Sequence, residues 1–121
     1  MIRSIINSIV AYNEQLANRV RELIAERTTN VEERKMFGGL CFLVDDKICV
    51  AVKKDRMLAR IAPEMYDDAI EEEGCTPMSK AGTNMISYLY VDEAYLNAPK
   101  QLAHWVNLAL DFNPRAKSSK K

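Results

Sequence analysis

The stretch MFGGLCFLVDDKICVAV, which spans Met36–Val52, decides the fold of this 121-residue chain. Two runs rich in branched and aromatic residues, Leu40–Val44 and Lys47–Val52, flank the pair Asp45-Asp46. Runs of this composition favour strands, and aspartate is common in tight turns. Strands that are joined by so short a turn must pair antiparallel. We therefore predict a β-hairpin here, with a sheet built outward from it.

The second strand of this hairpin and the segments after it also show strand patterns. Branched residues stand at every other position of the second strand and alternate with Lys47, Cys49, Ala51 and Lys53, so one face of this strand is expected to be buried. A further strand is expected over 56–61, again after a short turn, which makes an antiparallel meander. Later, Met85–Val91 has the strongest strand composition of the chain, and Thr76–Met78 is expected as a short strand before it.

Three helices are predicted around these strands. The first covers about Asn13–Arg27, and its asparagine is suited to cap the helix N-terminus. The second opens at Pro63 and ends before Gly74, since proline fits a first turn and glycine fits the residue after a helix. The third opens at Pro99, and its apolar spacing predicts a buried face of Leu102, Trp105, Val106, Ala109 and Leu110.

The resulting order of elements is α-β-β-β(-β)-α-β-β-α. Strands that follow one another in runs, with helices on the flanks, are typical of an α+β fold. We expect two layers, a central antiparallel sheet and flanking helices. A chain of this length fits a single domain that buries its own core without metals or disulfides.

Charge is distributed unevenly along the chain. The segment 114–121 contains four basic residues and no acid, and we expect it to be a disordered basic tail. Residues 1–114 carry 13 Lys and Arg against 17 Asp and Glu, a net charge of −4. An acidic body is poorly suited to bind duplex nucleic acid, because phosphate neutralisation supplies most of that affinity. No apolar run is long enough to span a membrane, and the cytoplasm is the expected compartment.

Residues that could carry chemistry are few. Cys41, Cys49 and Cys75 have spacings that match no zinc pattern, and the only histidine, His104, is remote in sequence. We interpret the thiols as reduced core residues, with a Cys41–Cys49 redox pair as an alternative. The sequence contains no GxGxxG, P-loop, HExxH or GxSxG motif. No catalytic residue, metal ligand or cofactor is therefore predicted, although an enzymatic activity stays open.

The unusual local motif is Arg34-Lys35-Met36-Phe37-Gly38-Gly39. Two consecutive glycines weaken a strand, and they often mark a bulge or a place where another backbone comes close. One interpretation is a kink that lets the sheet wrap the first helix. The other is a contact point for a partner, with these six residues as the candidate interaction motif.

The chain resembles the N-terminal domain of the TfoX/Sxy family, which comprises bacterial regulators of natural competence. The resemblance is carried by YNEQLANRVRELI (12–24), VEERKMFGGLCFLVDDKICVAV (31–52), MLARIAPEMYDDAI (57–70) and PMSKAGTNMISYLYV (77–91), with the MFGG signature as its most specific part. It covers 11–113, which leaves 1–10 as an N-terminal extension expected to be dispensable for folding. The resemblance implies an α+β domain similar to secretion chaperones, and for full-length regulators a role in transcription activation alongside the cyclic-AMP receptor protein.

From these observations we expect a noncatalytic protein-interaction module that contacts a protein partner, with the transcription machinery as one candidate and a homodimer left open. The alternative is a small-ligand-binding protein, or an enzyme, that uses a pocket beside Gly38-Gly39. Neither specific nucleic-acid binding by the body nor membrane association is expected.

Overall fold

The sheet has six strands, and every neighbouring pair is antiparallel. The structure, a computed structural model, describes residues 12–36 and 38–117. The strand order across the sheet is β1-β2-β3-β4-β6-β5. The strands are β1 (Val31–Met36), β2 (Gly39–Val44), β3 (Lys47–Val52), β4 (Arg56–Arg60), β5 (Cys75–Lys80) and β6 (Thr83–Asp92).

The helices occupy the predicted places, which confirms the α+β fold and the order of its elements. Helix α1 covers Glu14–Ala25, and the Asn13 side chain accepts a hydrogen bond from the Leu16 amide at 3.0 Å as its cap. A 3₁₀ turn over Pro63–Met65 leads into the four-residue helix α2, Tyr66–Ala69. Helix α3 covers Pro99–Phe112, with the proline in its first turn.

Helices α1 and α3 bury their apolar sides against one face of the sheet. Trp105 is 2% exposed, and Leu102 and Val106 beside it are also buried, as the sequence predicted. From the sheet, alternate residues of β2, β3, β4 and β6 complete this core, among them Phe42, Val50, Ala59 and Leu89. We call this side of the sheet the helix face.

The alternation in β3 predicts one buried face, and the structure buries both sides of its later part. A bulge places Phe42 opposite Val50 but Leu43 opposite Ile48, so β3 has one residue more than β2 at this point. The extra residue, Cys49, belongs to the core of the helix face. On the opposite side Ala51 is 0% exposed. Strand β3 is therefore buried on both sides, which its alternating sequence does not indicate.

The sheet has a second apolar cluster on the side away from the helices. We call it the second face: Cys41, Leu43, Ala51 and Leu58 are buried, and Met36, Ile48, Met78, Tyr88 and Tyr90 pack around them half-buried. Every one of these residues belongs to a strand. Arginines lie over the two tyrosine rings, with Arg56 3.7 Å from the centroid of Tyr90 and Arg60 5.3 Å from that of Tyr88.

The chain continues in an ordered path beyond α3, where the sequence predicted a disordered tail from residue 114. Asn113–Arg115 forms a 3₁₀ turn, and Ala116 is 9% exposed in a small cluster with Ala62 and Phe112. The buried Asn113 donates through Nδ2 to the Val44 carbonyl at 3.2 Å. Residues 114–117 thus make contacts with the body, residues 118–121 lie outside the described range, and the disordered tail stays a prediction.

The predicted N-terminal extension, residues 1–10, also lies outside the described residues. Within 12–36 and 38–117, no helix is long and apolar enough to cross a membrane.

Candidate functional site

Half of the candidate interaction motif, Arg34–Met36, lies on the edge strand of the sheet. Strand β1 pairs only with β2 among the strands described, and its four central residues are exposed. Arg34 lies opposite Cys41 and Lys35 lies opposite Leu40, so their side chains point to opposite sides of the sheet, as those of adjacent strand residues do. Met36 is half-buried at the rim of the second face. Phe37 lies outside the described residues.

The two glycines of the motif serve different purposes. Gly38 has φ +71°, a conformation that side chains rarely adopt, and a Cβ atom there would meet open space. At Gly39, a Cβ atom would overlap the carbonyl oxygen of Val52 on β3. The second glycine is thus a point where another backbone comes close, one of the two meanings that sequence reasoning gave to the pair.

Edge strand β1 is held to helix α1 by an ion pair. Arg21 donates from Nε and Nη2 to the two carboxylate oxygens of Glu33 at 2.5 and 2.8 Å. This hydrogen bonding lowers the pKa of Glu33 and raises that of Arg21. On the other side of the strand, Arg34 donates to Glu32 at 3.0 Å. The edge is therefore a pre-ordered, charged surface.

The three cysteines are free thiols, and their positions do not support nucleophilic chemistry. Burial raises the pKa of Cys41 to about 11, of Cys49 to about 12 and of Cys75 to about 11. They are therefore protonated near neutral pH, whereas the thiolate is the reactive form. The β3 bulge puts Cys49 in the core of the helix face, whereas Cys41 lies in the second face. The two thiols thus belong to opposite sides of the sheet, which does not favour the alternative of a Cys41–Cys49 redox pair.

The single histidine lies on the surface of α3. The Nε2 atom of His104 is 3.6 Å from a carboxylate oxygen of Glu72, and its ring meets Trp105 edge-on at 4.8 Å between centroids. Across 12–36 and 38–117, no three His, Cys, Asp or Glu side chains are grouped to hold a metal ion.

A polar cavity of about 300 Å³ lies at one end of β4 and β6. Its lining includes the stacked pair Arg56 and Tyr90, the carboxylates of Asp55 and Asp92, and Thr76. Two smaller cavities, of about 180 and 60 Å³, adjoin α1, and neither Gly38 nor Gly39 lines any of the three.

Sequence reasoning did not identify this cavity. Arg56 and Tyr90 are far apart in the chain, and they meet because β4 pairs with β6, where Arg56 lies opposite Asp92 and Leu58 opposite Tyr90. No local pattern reports that pairing.

Comparisons with known proteins bear on the family alone. The comparison with curated proteins and the comparison with solved structures gave no significant match. The model of the TfoX N-terminal domain family matches residues 22–113, a range that holds all six strands, both later helices and the end of α1. The chain is therefore a member of the TfoX N-terminal domain family.

Proposed function

We propose that this chain is a noncatalytic protein-interaction domain whose contact surface is edge strand β1 together with the turn that follows it. The observation that carries the proposal is the position of Arg34 and Lys35 on an exposed edge strand. An edge strand offers unpaired main-chain groups to an added strand, while its side chains select the partner. Because Arg21–Glu33 and Glu32–Arg34 already order this surface, binding need not order it again.

Family membership supports a regulatory context for this surface. The resemblance implies that full-length relatives activate transcription alongside the cyclic-AMP receptor protein. We therefore take the cytoplasmic transcription machinery as the partner of this edge. The raised thiol pKa values and the scattered titratable side chains of the described chain favour binding over catalysis.

The test is a binding titration between the purified chain and purified cyclic-AMP receptor protein or RNA polymerase from the same bacterium. We expect saturable binding that the double variant Arg34→Glu, Lys35→Glu weakens about tenfold or more, which corresponds to about 1.4 kcal/mol. The matched control is Lys80→Glu, Lys100→Glu, because it makes the same change in net charge at exposed positions elsewhere. Equal losses of affinity in both double variants would show that the effect comes from net charge alone. Unchanged binding of the Arg34→Glu, Lys35→Glu variant would show that β1 is not part of the interface.

A second candidate function is the binding of a small polar ligand in the cavity of Arg56 and Tyr90. Convergent charged and aromatic groups in one cavity favour such a role. Its test is a thermal-shift screen of nucleotides, amino acids and organic acids, with Arg56→Ala expected to abolish any shift. Arg115→Ala serves as control, since that arginine also lies over a ring, 5.4 Å from the centroid of Phe112.

A further inference from the structure

We propose that edge strand β1 pairs antiparallel with β1 of a second copy of this chain, about a two-fold axis at Glu33, and that this dimer closes the edge to other partners. The closure rests on the proposed function, since it takes β1 as the contact surface. The pairing itself is argued from the main-chain geometry and the charges of the strand.

The outer edge of β1 offers the main-chain groups of alternate residues. The Asp45 amide donates to the Asn30 carbonyl at 3.1 Å, so the main chain of Asn30 points toward β2. Because successive residues of a strand point their main-chain groups in opposite directions, those of Val31, Glu33 and Lys35 point away from β2. Among the described strands β1 is the last of the sheet on this side, and its four central residues are exposed. An added strand would form its hydrogen bonds with these three residues.

Symmetry limits how two copies of one edge strand can pair. A two-fold axis perpendicular to the sheet keeps the helix faces of both copies on one side, and it opposes only residues that point to the same face. With the axis at Glu33, this residue lies opposite its own copy and Val31 lies opposite Lys35, so the outward main-chain groups of all three are paired. With the axis at Arg34, Val31 would fall opposite residue 37, beyond the end of the strand. The main-chain geometry therefore favours the axis at Glu33.

The charges on the second-face side of β1 match this register. Glu32 and Arg34 lie opposite Leu43 and Cys41, two residues of the second face, and within one copy Arg34 donates to Glu32 at 3.0 Å. In the dimer each Glu32 lies opposite Arg34 of the second copy, so four charges of alternating sign meet. Opposite charges directly across an antiparallel pair are stabilising, and like charges are destabilising.

The helix-face side contains the one like-charged pair of this register, Glu33 with its own copy. Each Glu33 carboxylate already accepts two hydrogen bonds from Arg21 of α1, at 2.5 and 2.8 Å, which offsets its charge. Lys35 of the second copy lies diagonally across from Glu33 on the same face, within reach of a long side chain. Charges of a single sign on an edge strand keep copies apart, whereas this strand carries both signs in a self-complementary order.

Dimerisation would control access to the contact surface. The second copy and an added strand from another protein need the same outward main-chain groups of Val31, Glu33 and Lys35, so the two complexes exclude each other. An interface made by a single pair of short strands is small, and small interfaces are weak. The edge therefore becomes free when the chain is dilute.

The test is sedimentation equilibrium of the purified chain from about 1 µM to about 1 mM, the range in which weak association is measurable. We expect the unchanged chain to show a monomer–dimer equilibrium. Glu32→Arg and Arg34→Glu are each expected to weaken dimerisation at least about tenfold, because each places like charges opposite one another. An equimolar mixture of the two variants is expected to form a heterodimer, since every opposed pair is then again one acid and one base. An unchanged chain that stays monomeric throughout would overturn the proposal.

The matched controls are Glu73→Arg and Lys80→Glu, which make the same changes in net charge at exposed positions outside β1. Each is expected to dimerise like the unchanged chain. Equal weakening in the controls would assign the effect to net charge. A loss in Lys80→Glu alone would assign the dimer to β5, the opposite edge of the described sheet. Either result would refute pairing through β1.

A disulfide locates the axis. In a Cys75→Ser background, Glu33→Cys is expected to form a disulfide-linked dimer under mild oxidation, because directly opposed residues lie about 5.5 Å apart between Cα atoms. Lys35→Cys, on the same face, is not expected to do so, since its copy would lie four residues farther along the strand, about 13 Å. A dimer in which Glu33→Cys forms no disulfide would place the axis elsewhere and contradict the register.

The linked Glu33→Cys dimer also tests the closure of the edge. We expect it not to bind purified RNA polymerase or cyclic-AMP receptor protein, and we expect its reduced form to bind. Binding by the linked dimer would refute the closure. If neither form binds, the proposed function and the closure fail together, whereas the dimer is decided by sedimentation of the chain alone.

Discussion

The carbonyl oxygen of Val52 occupies the space that a side chain on Gly39 would need. The clash is with backbone of a buried strand, which cannot move without disturbing the β2–β3 pairing. We therefore expect Gly39→Ala to cost stability at the upper end of about 1–3 kcal/mol, the range for overpacking. Gly38→Ala is the matched comparison, because open space surrounds it and only its positive φ opposes a side chain, at about 1 kcal/mol. Urea titrations of both variants measure the difference, and equal losses would contradict the close approach.

Trp105 anchors α3 to the helix face of the sheet. At 2% exposure, its removal leaves a large cavity between α3 and the core. We expect Trp105→Ala to lower the free energy of unfolding by about 3–5 kcal/mol. His104→Ala, one position earlier but on the surface, is expected to cost less than about 1 kcal/mol. A loss below about 1 kcal/mol for the tryptophan would show that α3 does not pack as described.

The Arg21–Glu33 pair makes the attachment of β1 to α1 depend on pH. The folded state lowers the pKa of Glu33, so its stabilising contribution is present above the unfolded pKa and is lost as pH falls through the folded pKa. Both side chains are partly exposed, which keeps the contribution below about 1 kcal/mol. We expect Glu33→Gln to lower stability at pH 7 and to have no effect well below the folded pKa. The stability difference between Glu33→Gln and the unchanged protein would not come from the ion pair if it did not vary with pH. The same conclusion would follow if the surface control Glu73→Gln showed an equal difference.

The body of the chain is predicted not to bind duplex DNA specifically. Arg115 is held by Glu64 at 2.5 Å, which leaves Lys117, Lys120 and Lys121 as the basic residues of the tail beyond this ion pair. If the chain binds DNA at low salt, a plot of log K for that binding against the log of the salt concentration should have a slope no steeper than about −3. Replacing the three lysines by glutamine should abolish it without a change in fold. Anisotropy titrations against promoter and scrambled duplexes provide the measurement, and a clear promoter preference by the substituted protein would contradict the prediction.

Local patterns were enough to predict several elements of the fold. Asn13 caps α1, Asp45 and Asp46 form the tight turn between β2 and β3 with positive φ, and Pro99 opens α3. Each of these depends on a few neighbouring residues, whose backbone and capping preferences act over one turn. The helix and strand order followed in the same way, and with it the α+β class.

The candidate site was predicted less completely. The motif Arg34–Gly39 was identified from its two glycines, but its position on an edge strand depends on which strands pair. The cavity of Arg56 and Tyr90 was not identified, because it needs β4 beside β6. The burial of β3 on both sides was not predicted, because the bulge that brings Cys49 into the core of the helix face leaves no local signature in the sequence.

By itself, then, the sequence determined which segments of this protein are helices and strands, where they turn, and that Trp105 lies inside, because backbone preference and apolar spacing act within one element. Only the tertiary structure decided the strand order, the bulge at Phe42/Leu43 and the burial of the second face. These features arise from contacts between residues far apart in the chain, and the free energy of such contacts depends on what each face meets rather than on the residues next to it.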